Sequence, residues 1–145
     1  MSKKLNLAVF ISGSGSNLQS IIDACEAKDY PAKVKLVVSN NPEAYGLVRA
    51  KNANIPSVII NHKSFKTRHD FESAITKELT KQPIDLICLA GFMRILTADF
   101  ISQWPDQIIN THPSLLPKFG GEGMFGDNVH KAVIAAGETQ SGASI

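Results

Sequence analysis

The stretch LNLAVFISGSGSNLQSIIDAC, residues 5–25, decides the fold of this chain. Its first part, Leu5–Ile11, is an almost continuous apolar run, as expected of a strand buried on both faces of a parallel sheet. Its last part has apolar residues at the i, i+3, i+4 and i+7 spacing of an amphipathic helix: Leu18, Ile21, Ile22 and Cys25. Two glycines and three serines lie between them, so the stretch predicts a strand, a glycine turn and a helix.

The same alternation continues along the chain. Further strands are predicted at Val34–Val38, Ser57–Ile60, Ile84–Ala90 and Gln107–His112. Further helices are predicted from Asn41-Pro42, from Thr67, over Thr97–Gln103 and over Asn128–Ala136. Because strands that alternate with helices form βαβ units, the sequence predicts an α/β fold: an open, doubly wound, mostly parallel sheet with helices on both faces.

Composition is that of an ordinary globular protein. The chain has 145 residues, 43% of them hydrophobic, and a net charge of +2, which fits a single domain and does not indicate nucleic-acid binding. Lys3 and Lys4 precede the first apolar run, but that run is short and lacks a cleavage site. No run approaches the ~20 apolar residues of a membrane span. We therefore expect a cytoplasmic protein with neither a nucleic-acid nor a membrane partner.

Side chains with metal or redox chemistry are few. Cys25 and Cys88 each lie in an apolar pattern, which predicts reduced, buried thiols. His62 and His69 are expected to be solvated, and no pair of histidines has the spacing of a zinc site. The sequence therefore predicts no metal.

The turn ISGSGSN, residues 11–17, indicates an anion site but does not identify the anion. A dinucleotide fingerprint would need glycine in place of Leu18 and an acidic residue near Ser39 and Asn40. The phosphate loop of nucleoside triphosphatases would need Gly-Lys-Ser/Thr. Two interpretations remain: a helix N-terminus that holds one phosphate, or a tight turn before a helix capped by Ser16 and Gln19.

The stretch NTHPSLLP, residues 110–117, carries the candidate chemistry. Asn110 and His112 are two apart on a predicted strand, so they lie on the same face, and Pro113 ends that strand. An amide donor beside an imidazole suits a reaction in which an oxyanion develops while a proton moves. A purely structural role for the pair is the alternative.

Four segments, in order and at the expected spacing, resemble the phosphoribosylglycinamide formyltransferase family of purine biosynthesis. They are ISGSGSNLQSIIDA, SNNPEAYGLVRAKNANIP, DLICLAGFMRIL and INTHPSLLPKF. The resemblance implies a Rossmann-like formyltransferase fold. It also implies a transferase that moves the formyl group of 10-formyltetrahydrofolate, its co-substrate, to the amino group of glycinamide ribonucleotide.

The resemblance also implies site residues. The ribonucleotide phosphate would be held by Gly15, Ser16 and Asn17, with Gly13 making the turn. The folate would meet Arg68, Asn110 and, largely through the backbone, the segment Met93, Arg94, Ile95 and Leu96. In catalysis, Asn110 would donate a hydrogen bond to the oxyanion and His112 would move the proton.

Two other functions stay open at this point. A formyltetrahydrofolate hydrolase would use the same Asn110 and His112 but let water attack, and an inactive module would only bind phosphate or folate. The protein is expected to be a monomer or a homodimer.

The last third of the chain carries two further expectations. Four glycines within residues 120–126 predict a loop that closes over bound folate. Family members continue beyond the point that corresponds to Ile145, to an aspartate that raises the pKa of the histidine. The resemblance therefore implies one formyltransferase domain over residues 1–145 that is incomplete at its C-terminus.

Overall fold

The computed structural model describes residues 4–110 of the chain. The chain divides into two units, Met1–Ile109 and Asn110–Ile145, so the described part is residues 4–109 of the first unit and the first residue of the second. The predictions made for His112, for the glycine loop at 120–126 and for the helix over Asn128–Ala136 lie outside the described residues.

Strands and helices alternate along the described part. The strands are β1 (Leu5–Ile11), β2 (Ala32–Ser39), β3 (Ser57–Ile59), β4 (Leu86–Leu89) and β5 (Ile108–Asn110). The helices are α1 (Ser16–Cys25), α2 (Gly46–Asn52), α3 (Arg68–Leu79) and α4 (Ala98–Ser102), and a 3-10 turn spans His62–Ser64. None of these helices is long and apolar enough to cross a membrane.

The five strands form one parallel sheet in the order β3-β2-β1-β4-β5. The central strand β1 pairs with β2, placing Leu5 opposite Ala32, and with β4, placing Leu7 opposite Leu86. From β1 the chain first builds outward through β2 and β3, and then returns to the other side of β1 with β4 and β5. The predicted doubly wound fold is confirmed.

Alternate residues of β1 enter two cores, one on each face of the sheet. Leu7, Val9 and Ile11 join the core formed with α1 and α2. Ala8 and Phe10 join the core formed with α3 and α4. Six of the seven β1 residues are buried, which explains why this strand reads as a continuous apolar run.

Two predicted helix starts are wrong. Gly15 in a left-handed conformation is the N-cap of α1 and no side chain caps it, so the predicted capping box of Ser16 and Gln19 does not form. The second helix begins at Gly46 and not at Asn41. The Asn41 side chain instead accepts from Glu43 N at 3.0 Å and donates to Ser12 O at 3.1 Å, which closes a turn before the helix.

The cap of the third helix and one of the two thiol predictions are confirmed. Thr67 Oγ1 accepts from Asp70 N at 3.1 Å and caps α3. Both cysteines are free, and Cys88 is buried, but Cys25 is only partly buried. Burial raises the pKa of the Cys88 thiol to about 11 and raises that of Cys25 as well.

Candidate active site

The sheet has its switch point between β1 and β4, where the chain winds outward in both directions. In open α/β sheets, ligands bind beyond the carboxyl ends of the strands at this point. Two connections meet here: the glycine turn after β1 and the loop over residues 90–97 after β4. Met93 N donates to Ser12 Oγ at 2.8 Å, so the two connections contact each other directly.

The glycine turn has one position that requires glycine for its backbone. Gly15 has φ +73°, and a Cβ placed on it would lie 2.6 Å from the Cα of Gly46. A Cβ on Gly13 would meet nothing within 4 Å among residues 4–110, and the Gly13 carbonyl accepts from Gly46 N at 3.1 Å. Gly46, whose role the sequence analysis missed, lets α2 approach the turn because it has no side chain.

The N-terminus of α1 offers free backbone donors. Its first N–H groups have no partner within the helix, no side chain of residues 4–110 caps it, and no acidic residue lies in its first turn. Ser16 and Asn17, the first two helix residues, are exposed. The positive end of the helix dipole and these donors suit an anion such as a phosphate.

Arg49 on α2 supports this turn, a role that the sequence analysis did not identify. Its Nε donates to Ser14 O at 2.8 Å, and its guanidinium lies over the Tyr45 ring, 5.0 Å from the centroid. Its Nη1 reaches Gln19 Oε1 on α1 at 3.4 Å. The i, i+4 spacing of Tyr45 and Arg49 is a local signal for their contact, whereas the bond from Arg49 to Ser14, 35 residues away, has no local signal.

A chain of polar side chains links four strand ends. Ser12, after β1, donates to Asn40 Oδ1 after β2, and Asn40 Nδ2 lies 3.2 Å from His62 Nδ1 after β3. With the bond from Met93 after β4, all four connections are joined. Ser12 and Asn40 are buried and His62 is partly exposed, so His62 is less solvated than expected but still reaches the surface.

The loop after β4 exposes apolar side chains on a fixed backbone. Met93 is 48% exposed and Ile95 is 69% exposed, whereas Leu96 packs against the core beneath. Arg94 is half-buried, and its Nε has no hydrogen-bond partner among residues 4–110. The buried Glu72 of α3 fixes the loop end, because its carboxylate accepts from Thr97 N at 2.7 Å and from the Thr97 hydroxyl.

Comparison with known proteins agrees with this arrangement. A profile of the formyl transferase family matches residues 5–145. The chain belongs to this family. The predicted resemblance is therefore confirmed at the level of the family.

Several formyltransferases are similar to this chain. Phosphoribosylglycinamide formyltransferase of Haemophilus influenzae is 45% identical over 139 residues, which are 96% of this chain and 63% of that protein. The trifunctional purine biosynthetic protein adenosine-3 of Drosophila melanogaster is 46% identical over 145 residues, 99% of this chain and 10% of that protein. The chain thus spans less than two thirds of the length of these relatives.

Solved structures of the family have the same fold. The crystal structure of phosphoribosylglycinamide formyltransferase from Brucella melitensis superposes with a TM-score of 0.90 at 38% identity, covering 97% of this chain and 71% of that one. That of the Coxiella burnetii enzyme, in complex with CHES, has a TM-score of 0.90 at 46% identity, covering 98% of this chain and 64% of that one.

Two further predicted site residues, Arg68 and Asn110, lie in the described part of the chain. Arg68 is the exposed first residue of α3 and follows Thr67, the N-cap of that helix. Asn110 is the exposed last residue of β5. His112 lies outside the described residues, so the Asn110–His112 pair stays a prediction. Within residues 4–110, no group of three His, Cys, Asp or Glu side chains could hold a metal ion.

Proposed function

We propose that this chain takes part in transferring the formyl group of 10-formyltetrahydrofolate to the amino group of glycinamide ribonucleotide in purine biosynthesis. One observation carries the proposal. The glycine turn at a helix N-terminus and the exposed loop of Met93–Leu96 contact each other at the switch point, through Met93 N and Ser12 Oγ. This contact supports a phosphate site and a formyl-donor site that lie side by side.

The phosphate of the ribonucleotide would bind at the start of α1. The uncapped N–H groups of Ser16 and Asn17 would donate to it, and Gly15 would let the backbone approach. Gly13 would complete the turn, since its carbonyl is already bound by Gly46 N. The Arg49 guanidinium, held against Ser14 O, would add positive charge close by.

The formyl donor would bind along the loop after β4. Backbone groups of Met93, Arg94, Ile95 and Leu96 would pair with the polar edge of the pterin, and the exposed Met93 and Ile95 side chains offer apolar contact for its ring. The exposed Arg68 would pair with a carboxylate of the folate tail.

The reaction follows from the chemistry of an amine and a formamide-like carbonyl. The amine nitrogen bonds to the formyl carbon, and the carbonyl oxygen becomes an oxyanion to which Asn110 Nδ2 would donate a hydrogen bond. His112 would take the proton that the attacking amine loses and deliver it to the folate nitrogen as the carbon–nitrogen bond to folate breaks. The product is the formylated ribonucleotide, and tetrahydrofolate leaves.

A single assay on the full-length gene product tests this proposal. The absorbance of 10-formyltetrahydrofolate is followed with and without glycinamide ribonucleotide, and formate is measured in parallel. A change that requires the ribonucleotide is the expected result. A change without it, with release of formate, would overturn the transferase in favour of a hydrolase. No change, with both ligands bound in calorimetry, would indicate a binding module.

The proposed function also implies a cellular location, an oligomeric state and the kind of partners. A purine-biosynthetic transferase would act in the cytoplasm on small substrates, as a monomer or a homodimer, without nucleic acid or membrane as a partner.

A further inference from the structure

We propose that His62, as the neutral tautomer with its hydrogen on Nε2, is a positioning residue that fixes the backbone of the Met93–Leu96 loop through Asn40 and Ser12. The link to the formyl donor rests on the proposed function, but the hydrogen-bond chain itself does not. Each hydrogen bond in this chain has a direction, and the directions follow one another from a backbone N–H.

The first step is at Ser12. Its Oγ accepts from Met93 N at 2.8 Å, and a backbone N–H can only donate. The Ser12 hydroxyl has one hydrogen, which it donates to Asn40 Oδ1. Ser12 therefore accepts a hydrogen bond from the loop after β4 and donates one to Asn40, the residue after β2.

The second step is at Asn40, which is 4% exposed. Since its Oδ1 accepts from Ser12, its amide NH₂ faces His62, with Nδ2 3.2 Å from Nδ1 of the ring. Reversing the amide would leave the Ser12 hydroxyl hydrogen without this acceptor. Asn40 Nδ2 therefore donates, and His62 Nδ1 must accept, which only a ring with hydrogen on Nε2 alone can do.

The surroundings of His62 favour this uncharged form. Desolvation is the largest cause that lowers its pKa from 6.5, followed by the positive charges of Arg94 in the loop after β4 and Lys63 in its own 3-10 turn. The backbone of Asn40 acts in the opposite direction as the smallest cause. From α3 the ring meets Phe71, edge on at 6.2 Å. Within residues 4–110, no carboxylate contributes to the shift.

Protonation of His62 would therefore act on the loop in two ways. A hydrogen on Nδ1 would face the Asn40 NH₂ group, so the hydrogen bond from Asn40 to His62 would be lost. The series of hydrogen bonds that leads to Met93 N would then lose its end. The new charge would also repel Arg94, which lies in the same loop. Because the pKa of His62 lies below 6.5 in the folded chain, the ring is neutral above pH 6.5 and the hydrogen bonds that fix the loop are intact. They are lost as the pH falls and the ring becomes protonated.

The test uses ring nitrogen NMR and amide hydrogen exchange on this chain. His62 is expected to show the neutral Nε2–H signature at pH 7. His62→Leu is expected to speed exchange of the Met93 amide by about 2- to 10-fold. His62→Asn, whose side-chain oxygen can replace Nδ1 as the acceptor, is expected to restore slow exchange. His69→Leu, at an exposed histidine on α3, is the matched control and should leave Met93 unchanged.

The outcomes separate this inference from the proposed function. A ring with hydrogen on Nδ1, or equal Met93 exchange in wild type, His62→Leu and His62→Asn, would overturn the positioning role. Tetrahydrofolate affinity is measured in parallel between pH 5 and 8. We expect it to weaken at low pH in wild type and to be weak at every pH in His62→Leu. Absence of tetrahydrofolate binding, with Met93 exchange changing as expected, would overturn the donor site and leave the tautomer assignment standing.

Discussion

Gly15 and Gly46 lie so close that a Cβ on Gly15 would come within 2.6 Å of the Gly46 Cα. This contact joins the turn after β1 to the first residue of α2, and Gly46 N donates to Gly13 O at 3.1 Å beside it. A Cβ on Gly46 would in turn meet the Ile11 side chain. The shape of the proposed phosphate site therefore depends on two residues that have no side chain.

Substituting these glycines tests that dependence. Gly15→Ala combines a left-handed backbone with a steric clash, so we expect a loss of about 2–4 kcal/mol in the free energy of unfolding. Gly46→Ala is expected to lose about 1–3 kcal/mol through overpacking. Urea unfolding measures both. The control is Gly13→Ala, whose Cβ would meet nothing within 4 Å in the described part of the chain and which should change stability by less than about 1 kcal/mol. Equal losses in all three variants would contradict this account.

Arg49 is expected to support anion binding through the turn. Arg49→Ala removes the bond to Ser14 O and the contact with Tyr45, so affinity for glycinamide ribonucleotide should fall about tenfold. Arg49→Lys should not restore it, because an ammonium group cannot stack on the ring and hold the carbonyl in the same way. Calorimetry measures the affinity. Lys51→Ala, an exposed charge on the same helix, is the control, and an equal loss there would point to net charge alone.

Glu72 is expected to stabilise the end of the proposed donor loop. Its buried carboxylate accepts from both the N–H and the hydroxyl of Thr97, so Glu72→Ala should reduce the free energy of unfolding by about 2–3 kcal/mol. On the same helix, Glu78 forms a surface ion pair with Lys81 at 2.9 Å. Glu78→Ala should therefore change stability by at most about 1 kcal/mol. Denaturant titration of the two variants compares them directly.

The two thiols should react slowly in the folded chain. Burial raises the pKa of Cys88 to about 11 and also raises that of Cys25, so both are protonated at pH 8. We expect alkylation by iodoacetamide to be slow in buffer and fast in urea, with Cys25 modified before Cys88. Because the folded pKa values lie above 9.0, the folded state gains from the neutral thiols below that pH and loses this gain as the pH rises. Rapid native alkylation of Cys88 would contradict its burial.

His112 should be required for turnover and not for binding. In the full-length product, His112→Ala is expected to reduce the rate of formyl transfer by about 100-fold or more, with ribonucleotide affinity nearly unchanged. Single-turnover kinetics and calorimetry on the same preparation separate the two. Undiminished turnover would remove His112 from the mechanism.

Local patterns predicted the elements of this fold well. Leu5–Ile11 is apolar because both faces of β1 are covered, and Thr67 caps α3 through a hydrogen bond three residues away. Both signals are contained in a short stretch of chain. The helix start at Asn41 was wrong because its side chain bonds to Ser12, 29 residues earlier, a contact that no local pattern encodes.

The candidate site was predictable only where its residues form a motif. The turn at Gly13–Asn17 stands out as a glycine-rich motif, and the resemblance to the formyltransferase family indicated the loop at Met93–Leu96; the ligand roles of both stay predictions. Arg49 and His62 were not, because their roles come from contacts with Ser14 and Asn40, 35 and 22 residues away. Such roles become visible only after the sheet brings the strand ends together.

The central position of β1 has a consequence for folding during synthesis. Of the five strands, β1 is synthesised before the others and can pair with β2 once Ser39 has been added, but its other edge stays unpaired until β4 has been synthesised. Leu7 pairs with Leu86, and Asn6 N donates to Asp85 Oδ2 across 79 residues of chain. Until then an apolar strand keeps one open edge, so slow folding and chaperone dependence are expected of the nascent chain.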